Sequence, residues 1–278
     1  MSDNAAVAGN ALGLASANAD RETPKRPAWL ERIVGWREPA LLFAAIFLAW
    51  VLASRLLPLG ENPLLPTPER TFAALWDSLP ELWRGTISSL LILVPGFLAA
   101  SVLGVVVGVW AGSSPRVGNT VFPFARVAAP IPPSVYCPYA IAILPSFQLS
   151  AIFLVFIGAF WPIFQNTVAG AHALEARHRD NARILGLTGF EYQRRVVFPA
   201  ALPHIFAGMA VGLGFSFILL TVAELFGANA GLGRFVQYYA DFADYPRMVA
   251  GILYTGLVTF LAMTLLESAR RRVLFWVR

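Results

Sequence analysis

The chain has 278 residues, of which 57% are hydrophobic and only 13% charged, with a net charge of +5 and a mean hydropathy of +0.63. Soluble domains carry about 25% charged residues, so a fold enclosed by water on all sides is excluded and the core must be shared with lipid. Cys137 is the only cysteine, which rules out a disulfide within the chain, and the single lysine, Lys25, follows Pro24, so the Gly-Lys pair of a phosphate-cradling loop is missing.

Residues 1–28 are rich in Ala, Asn and Ser and lack the apolar core of a signal peptide, so they read as a disordered cytoplasmic tail ahead of one transmembrane domain, 29–278. Apolar runs of about 20 residues, enough to cross a hydrocarbon layer of roughly 30 Å, can be placed at Ala40–Leu59, Thr86–Ala111, Val117–Ala140, Leu149–Gly170, His204–Glu224 and Met248–Leu266. These predict an all-α, polytopic membrane protein with six spans. Between the first two, Thr67-Pro68-Glu69 opens a helix with Phe72, Leu75, Trp76, Leu79, Leu82 and Trp83 at helical spacing, expected to lie flat at the outer interface. The third span is interrupted by Pro123, Pro130, Pro132, Pro133 and Pro138. It is either a kinked helix or a broken one facing the bundle interior or a translocation path, because free carbonyls at membrane depth need protein or water around them.

Between the fourth and fifth spans, the stretch 171–203 carries Arg177, Arg179, Arg183, Arg194 and Arg195 against only Glu175, Asp180 and Glu191. Good helix formers end at Gly186, a residue suited to the left-handed conformation that closes a helix. Thr188 and Glu191 then have the spacing of a capping box, which predicts a second helix from Thr188 to Phe198, stopped by Pro199 and Pro203. The result is a basic helix-turn-helix elbow. Its membrane-spanning flanks leave no free face for a DNA groove, so nucleic acid is excluded as a partner. A basic loop that only sets topology would explain the arginines, but not the ordered Gly, Thr, Glu and Pro punctuation.

The elbow, the N-terminal residues Arg21, Lys25, Arg26, Arg32 and Arg37, Arg116, and the C-terminal Arg270, Arg271, Arg272 and Arg278 fall on one side of the membrane. Arg70, Arg84, Arg234 and Arg247 fall on the other. The excess predicts that both termini and the elbow are cytoplasmic. His172, His178 and His204 lie at or beside the elbow with no second ligand type at useful spacing, so no metal site is expected. No G-x-S-x-G nucleophile turn occurs. Three polar residues within or at the ends of spans are candidates for a substrate path. Arg126 either snorkels or offers a counter-charge to an anion, Asn166 either bonds across helices or faces the path, and Glu224 serves either an interhelical contact or a gate.

The stretch Asp180 to Pro199 resembles the EAA loop of binding-protein-dependent ABC importers. Asp180, Asn181 and Ala182 stand in the E-A-A places, Gly186 is the glycine, Val196 takes the isoleucine place, and Phe198-Pro199 replaces Leu-Pro. Four further stretches, PIPPSVYCPYA (130–140), FLVFIGAFWPIFQNTVAG (153–170), VVFPAALPHI (196–205) and AELFGANAGLG (223–233), are similar to permease subunits of the nitrate, sulfonate, taurine and bicarbonate importer group. The resemblance implies a type I ABC importer permease fold in the bacterial inner (cytoplasmic) membrane, paired with a second permease copy as a homodimer. It also implies an external substrate-binding protein as donor and ABC ATPase subunits that hold the ATP and Mg, with no cofactor on this chain. The ATPase-coupling residues would be Asp180, Ala182, Arg183, Gly186, Thr188, Glu191, Val196 and Pro199. The chain would then be a transport subunit and not an enzyme. The alternative reading is a secondary transporter or channel working alone, although the intramembrane charges are few for a proton relay.

Overall fold

The structure, a computed structural model, describes residues 28–56, 64–174, 180–182 and 184–276, without the side chains of 28–37, 39 and 56. The proposed tail up to residue 27 therefore lies outside the described residues. The chain divides after Pro58 into two compact units. In the first, α1 (Ala28–Leu56) starts well before the expected first span and covers it up to Leu56, 57–59 lying outside the described residues; its apolar part is Ala40–Arg55.

In the second unit, the described residues form α2 (Pro68–Ser113), α3 (Pro115–Ala128), a 3-10 turn (Pro133–Tyr136), α4 (Cys137–Ile143), α5 (Phe147–His172), α6 (Gly189–Gly227), α7 (Leu232–Asp241) and α8 (Tyr245–Val273). Four of these, α2, α5, α6 and α8, are long and apolar enough to cross a membrane. They contain the second, fourth, fifth and sixth expected spans.

The third expected span is not one helix. α3 stops at Ala128, and the run Pro130, Pro132 and Pro133 withholds the amides that would carry it onward, so the chain resumes only as the short α4. The flat interfacial helix is also absent as a separate element. It is fused to the second span in the 46 residues of α2, which passes through Pro80 and Pro95. At about 1.5 Å per residue α2 is roughly 69 Å long, more than twice the hydrocarbon thickness, so one end stands clear of the membrane. Its Trp76 and Trp83 remain exposed on that end.

The centre of the second unit is α5, which packs most extensively against α6 and against α2. What lets α2 come so close is a row of small residues one turn apart, Gly96, Ala100, Gly104, Gly108 and Gly112. A methyl group at Gly108 would meet the Thr167 side chain at 2.7 Å, one at Gly96 the Ile152 carbonyl at 2.8 Å, and one at Gly112 the Ala171 Cβ at 2.6 Å. On the other side, Gly208 and Gly212 of α6 lie against the backbone of α5 at Ile163 and Ala159. Between lipid-exposed helices close approach replaces the hydrophobic effect as the source of association, since lipid tails are as apolar as leucine. The small residues are thus the basis of the three-helix core. Phe164, Ile163, Leu154 and Val155 of α5 fill the remaining space and are fully buried.

Replacing Gly108 by valine should cost about 1–3 kcal/mol through overpacking. A thermal melt of the detergent-solubilised protein checks this: the variant is expected to melt several degrees lower, whereas Gly256→Val on α8, where nothing lies within 4 Å of the added carbon, should not.

Candidate functional site

The elbow is a turn with a fixed backbone. Residues 180–182 and 184 are helical, and Gly186 adopts φ +69° while the Leu187 amide donates to the Ala182 carbonyl at 3.0 Å, the bond that closes a helix on a left-handed glycine. Gly189 is also left-handed, at φ +54°. Thr188 occupies the N-cap position as expected, but its side chain makes no capping bond. Glu191 instead pairs with Arg195 one turn later at 3.2 Å, so the capping box does not form. Asp180 is exposed, Ala182 is buried, and Arg183 lies outside the described residues, as do Glu175, Arg177, His178 and Arg179.

Pro199 and Pro203 do not stop the second helix. The helical run continues without a break from Gly189 to Gly227, so the second arm of the elbow and the fifth span are one element. A π turn over Gln193–Val197 makes this possible: the Phe198 amide reaches back five residues to the Gln193 carbonyl. The widened turn relieves the clash between the Pro199 ring and the preceding carbonyls, and it puts Pro199 in the first turn of the α-helical run from Phe198, where a missing amide costs little. The π turn is held by the bundle. Val197 is buried with Val109, Ala171 and Leu174, and Tyr192 and Val196 pack on the same cluster. The Gln193 amide donates to the Ser113 hydroxyl at the end of α2 at 3.2 Å.

The apolar tip of the elbow was not picked out by reading the arginines. Ile184, Leu185 and Phe190 flank the two glycines and are 83%, 74% and 76% exposed. The available signal was a turn with four large apolar residues, Ile184, Leu185, Leu187 and Phe190, and Thr188 as its one polar side chain.

Of the path residues, Arg126 and Asn166 reach adjoining cavities that share Gln165. One cavity, about 370 Å³, is lined by Phe122, Arg126, Phe164, Gln165 and His172. The other, about 290 Å³, is lined by Trp161, Gln165, Asn166 and the Ala129 and Pro133 ends of the proline break. The Asn166 amide donates to the Pro162 carbonyl of its own helix at 2.9 Å.

Glu224 lies elsewhere, at the far end of α6 from the elbow, 1% exposed. Its Oε1 accepts from the Ser89 hydroxyl at 2.5 Å and its Oε2 from the Gly233 amide at 2.6 Å. Ser89 Oγ in turn accepts from the Leu232 amide at 3.0 Å. The carboxylate and the serine thus satisfy the free amides at the start of α7 and favour the positive end of its dipole. The geometry requires Gly231, at φ +149°, because any side-chain carbon there would collide with the Glu224 carboxylate. Among the described residues no group of His, Cys, Asp and Glu is assembled to hold a metal.

Comparison with known proteins agrees with this architecture. Residues 100–275 match the family model described as binding-protein-dependent transport system inner membrane component. The chain belongs to this family. It is 31% identical to the nitrate import permease protein NrtB of Synechocystis sp., over 80% of this chain and 84% of that one. It is 30% identical to the taurine transport system permease protein TauC of Escherichia coli, over 70% and 71%, and 29% identical to the bicarbonate transport system permease protein CmpB of Synechococcus elongatus, over 89% and 94%. In fold it resembles a chain from the crystal structure of an amino acid ABC transporter with histidines, with a TM-score of 0.56 at 18% identity, covering 72% of this chain and 98% of that one. The protein is therefore a multi-pass ABC importer permease, a transport subunit and not an enzyme.

Within this permease, the network around Glu224 allows a structural role to be separated from a gating one. Glutamine at 224 can still accept from Gly233 and donate to Ser89 Oγ, whereas alanine leaves buried donors unpaired at about 1–3 kcal/mol each. Glu224→Gln is expected to keep both the melting temperature and uptake, and Glu224→Ala to lower the melting temperature. Unchanged melting with lost uptake in Glu224→Gln would assign the carboxylate to the path instead.

Proposed function

We propose that the chain is the permease through which a small oxyanion, of the nitrate, sulfonate or bicarbonate kind, passes from an external binding protein into the cytoplasm, driven by ATP hydrolysis on separate ATPase subunits. The substrate class follows from the relatives, whose names specify nitrate, taurine and bicarbonate. In this reading the membrane is crossed six times by α1, α2, the proline-broken pair α3 and α4, α5, α6 and α8. Both termini and the elbow face the cytoplasm, and two identical copies pair. ATP and Mg bind the ATPase and no cofactor binds this chain. Arg126 and Asn166, on their adjoining cavities, are the candidates for the path.

The observation that carries the reading is the elbow. Its tip presents Ile184, Leu185 and Phe190 to the surroundings, framed by Arg194 and Arg195, and its second arm continues without a joint into α6. Such a knob fits a groove on an ATPase, with the apolar tip as the buried centre and the charges as the rim. Asp180, Ala182, Arg183, Gly186, Thr188, Glu191, Val196 and Pro199 would then shape and seat it. Gly186 has open space around it within this chain, so a larger residue there strains the left-handed backbone, at about 1–2 kcal/mol, and otherwise meets only the docked partner.

Two variants test this in the assembled transporter. Leu185→Asp should reduce ATPase retention on the tagged permease at least about tenfold, the size of effect expected when a central apolar anchor is lost. Gly186→Ala, which strains the turn while adding almost no bulk to the docking face, should leave the ATPase bound but lower uptake per ATP hydrolysed. Flux of nitrate or taurine through vesicles containing this chain alone, without ATP, would instead establish a transporter that works by itself.

A further inference from the structure

Two arginines, Arg84 of α2 and Arg234 of α7, line one cleft of about 420 Å³ together with Gly85, Asn229, Gly231 and Tyr238. Both guanidinium groups are positioned, yet neither has a carboxylate partner among the described residues. Arg84 Nε donates to the Pro80 carbonyl of its own helix at 3.3 Å, which leaves the terminal nitrogens of its fork available. The Arg234 guanidinium lies 5.8 Å from the centre of the Tyr238 ring, a contact that orients a cation without neutralising it. Glu81 also lines the cleft, its Oε2 accepting from the Tyr239 hydroxyl at 3.0 Å, so the lining carries two cations against one carboxylate and keeps a net positive charge. Burial, followed by this bond to Glu81, raises the Tyr239 pKa above its ordinary value, so the phenol stays a donor at neutral pH.

The backbone contributes shape. Gly85 and Gly231 meet so closely that a methyl group on Gly85 would lie 3.3 Å from the Gly231 carbonyl carbon, which keeps the floor of the cleft free of side chains. The same Gly231 covers the Glu224 carboxylate, so the floor is tied to α6. The volume falls in the ordinary range for a small-molecule site.

We propose that this cleft is a capture site for a small oxyanion, filled after release from the binding protein and before passage into the helix bundle. The proposal rests on the permease reading above, which places this end of α6 outside. Planar guanidinium forks match the paired oxygens of nitrate, bicarbonate or a sulfonate, and they match a bare halide poorly. The cleft therefore selects oxyanions over chloride, and it does so ahead of the cavities at Arg126 and Asn166.

The test measures binding of nitrate, methanesulfonate and bicarbonate, with chloride as control, to the full chain in lipid nanodiscs by calorimetry, without ATPase or binding protein. At least one oxyanion should bind and chloride should not. The double variant R84Q/R234Q should weaken binding at least about tenfold, as expected for losing charge-assisted hydrogen bonds. R70Q, an outer arginine away from the cleft, should change it less than about twofold. If the double variant fails to insert, R84Q and R234Q singly carry the same comparison. Absence of oxyanion binding, or equal binding to the double variant, overturns the proposal. So does weaker binding-protein affinity in R84Q/R234Q with unaltered oxyanion binding, which would make the arginines a protein-docking surface. Retention of the ATPase on the elbow is measured separately, so a failed cleft and a failed permease reading give different results.

Discussion

The unbroken helix from Gly189 to Gly227 is the constraint on which the rest depends. At about 1.5 Å per residue it is roughly 58 Å long, with the elbow at one end and the Glu224 network at the other. A hinge at Pro199 would let the elbow swing without moving the bundle. A π turn beside a proline is itself a place where helices bend, so it is the seating of Val197 on Val109, Ala171 and Leu174 that restrains that swing. A displacement at the tip must therefore either break that packing or move α6 as a body.

The bundle is suited to the second outcome. α6 touches α5 through Gly208 and Gly212, and α5 touches α2 through the row of small residues from Gly96 to Gly112. The glycines of α2 are notches that seat α5 side chains, Val155 at Gly96, Ile163 at Gly104 and Thr167 at Gly108. Such contacts hold the helices close, so that a force on one is passed to the next. At the far end, α2 and α6 meet again through Ser89 and Glu224, where hydrogen bonds replace close packing. Three helices are thus joined by close packing along their length and by hydrogen bonds at a single end.

How much of this could be read from the sequence follows from the range of the interactions involved. The spans were legible because apolar runs of membrane length are local, and the left-handed Gly186 was legible because a glycine after a helical stretch has few other uses. The broken third span was announced by its prolines, although whether they kink or interrupt a helix depends on what surrounds the freed carbonyls. Pro199 and Pro203 misled for the same reason. Proline is a local signal to stop, and it was overridden by packing from α2 and α5, far away in the chain. The capping box failed because Glu191 had a competing partner in Arg195, one turn ahead on the same face. The fusion of the interfacial helix with the second span was also illegible, since Pro80 and Gly85 read locally as breaks and the helix runs through both.

Glu224 shows the same limit most sharply. Its position at the end of an apolar run made it conspicuous, and an acid at membrane depth invites a reading as a gate. Its partners support the interhelical contact: one is a serine 135 positions earlier, and the other is a backbone amide available only because Gly231 turns back over it. Both carboxylate oxygens are occupied by donors from the protein, so a passing anion would find a negative group already saturated and screened by the N-terminus of α7. The arginines of the adjoining cleft are the reverse case, positioned by their surroundings but left with unused donors. Saturation, more than depth or charge, is what separates a group that holds the fold from one that is free to bind.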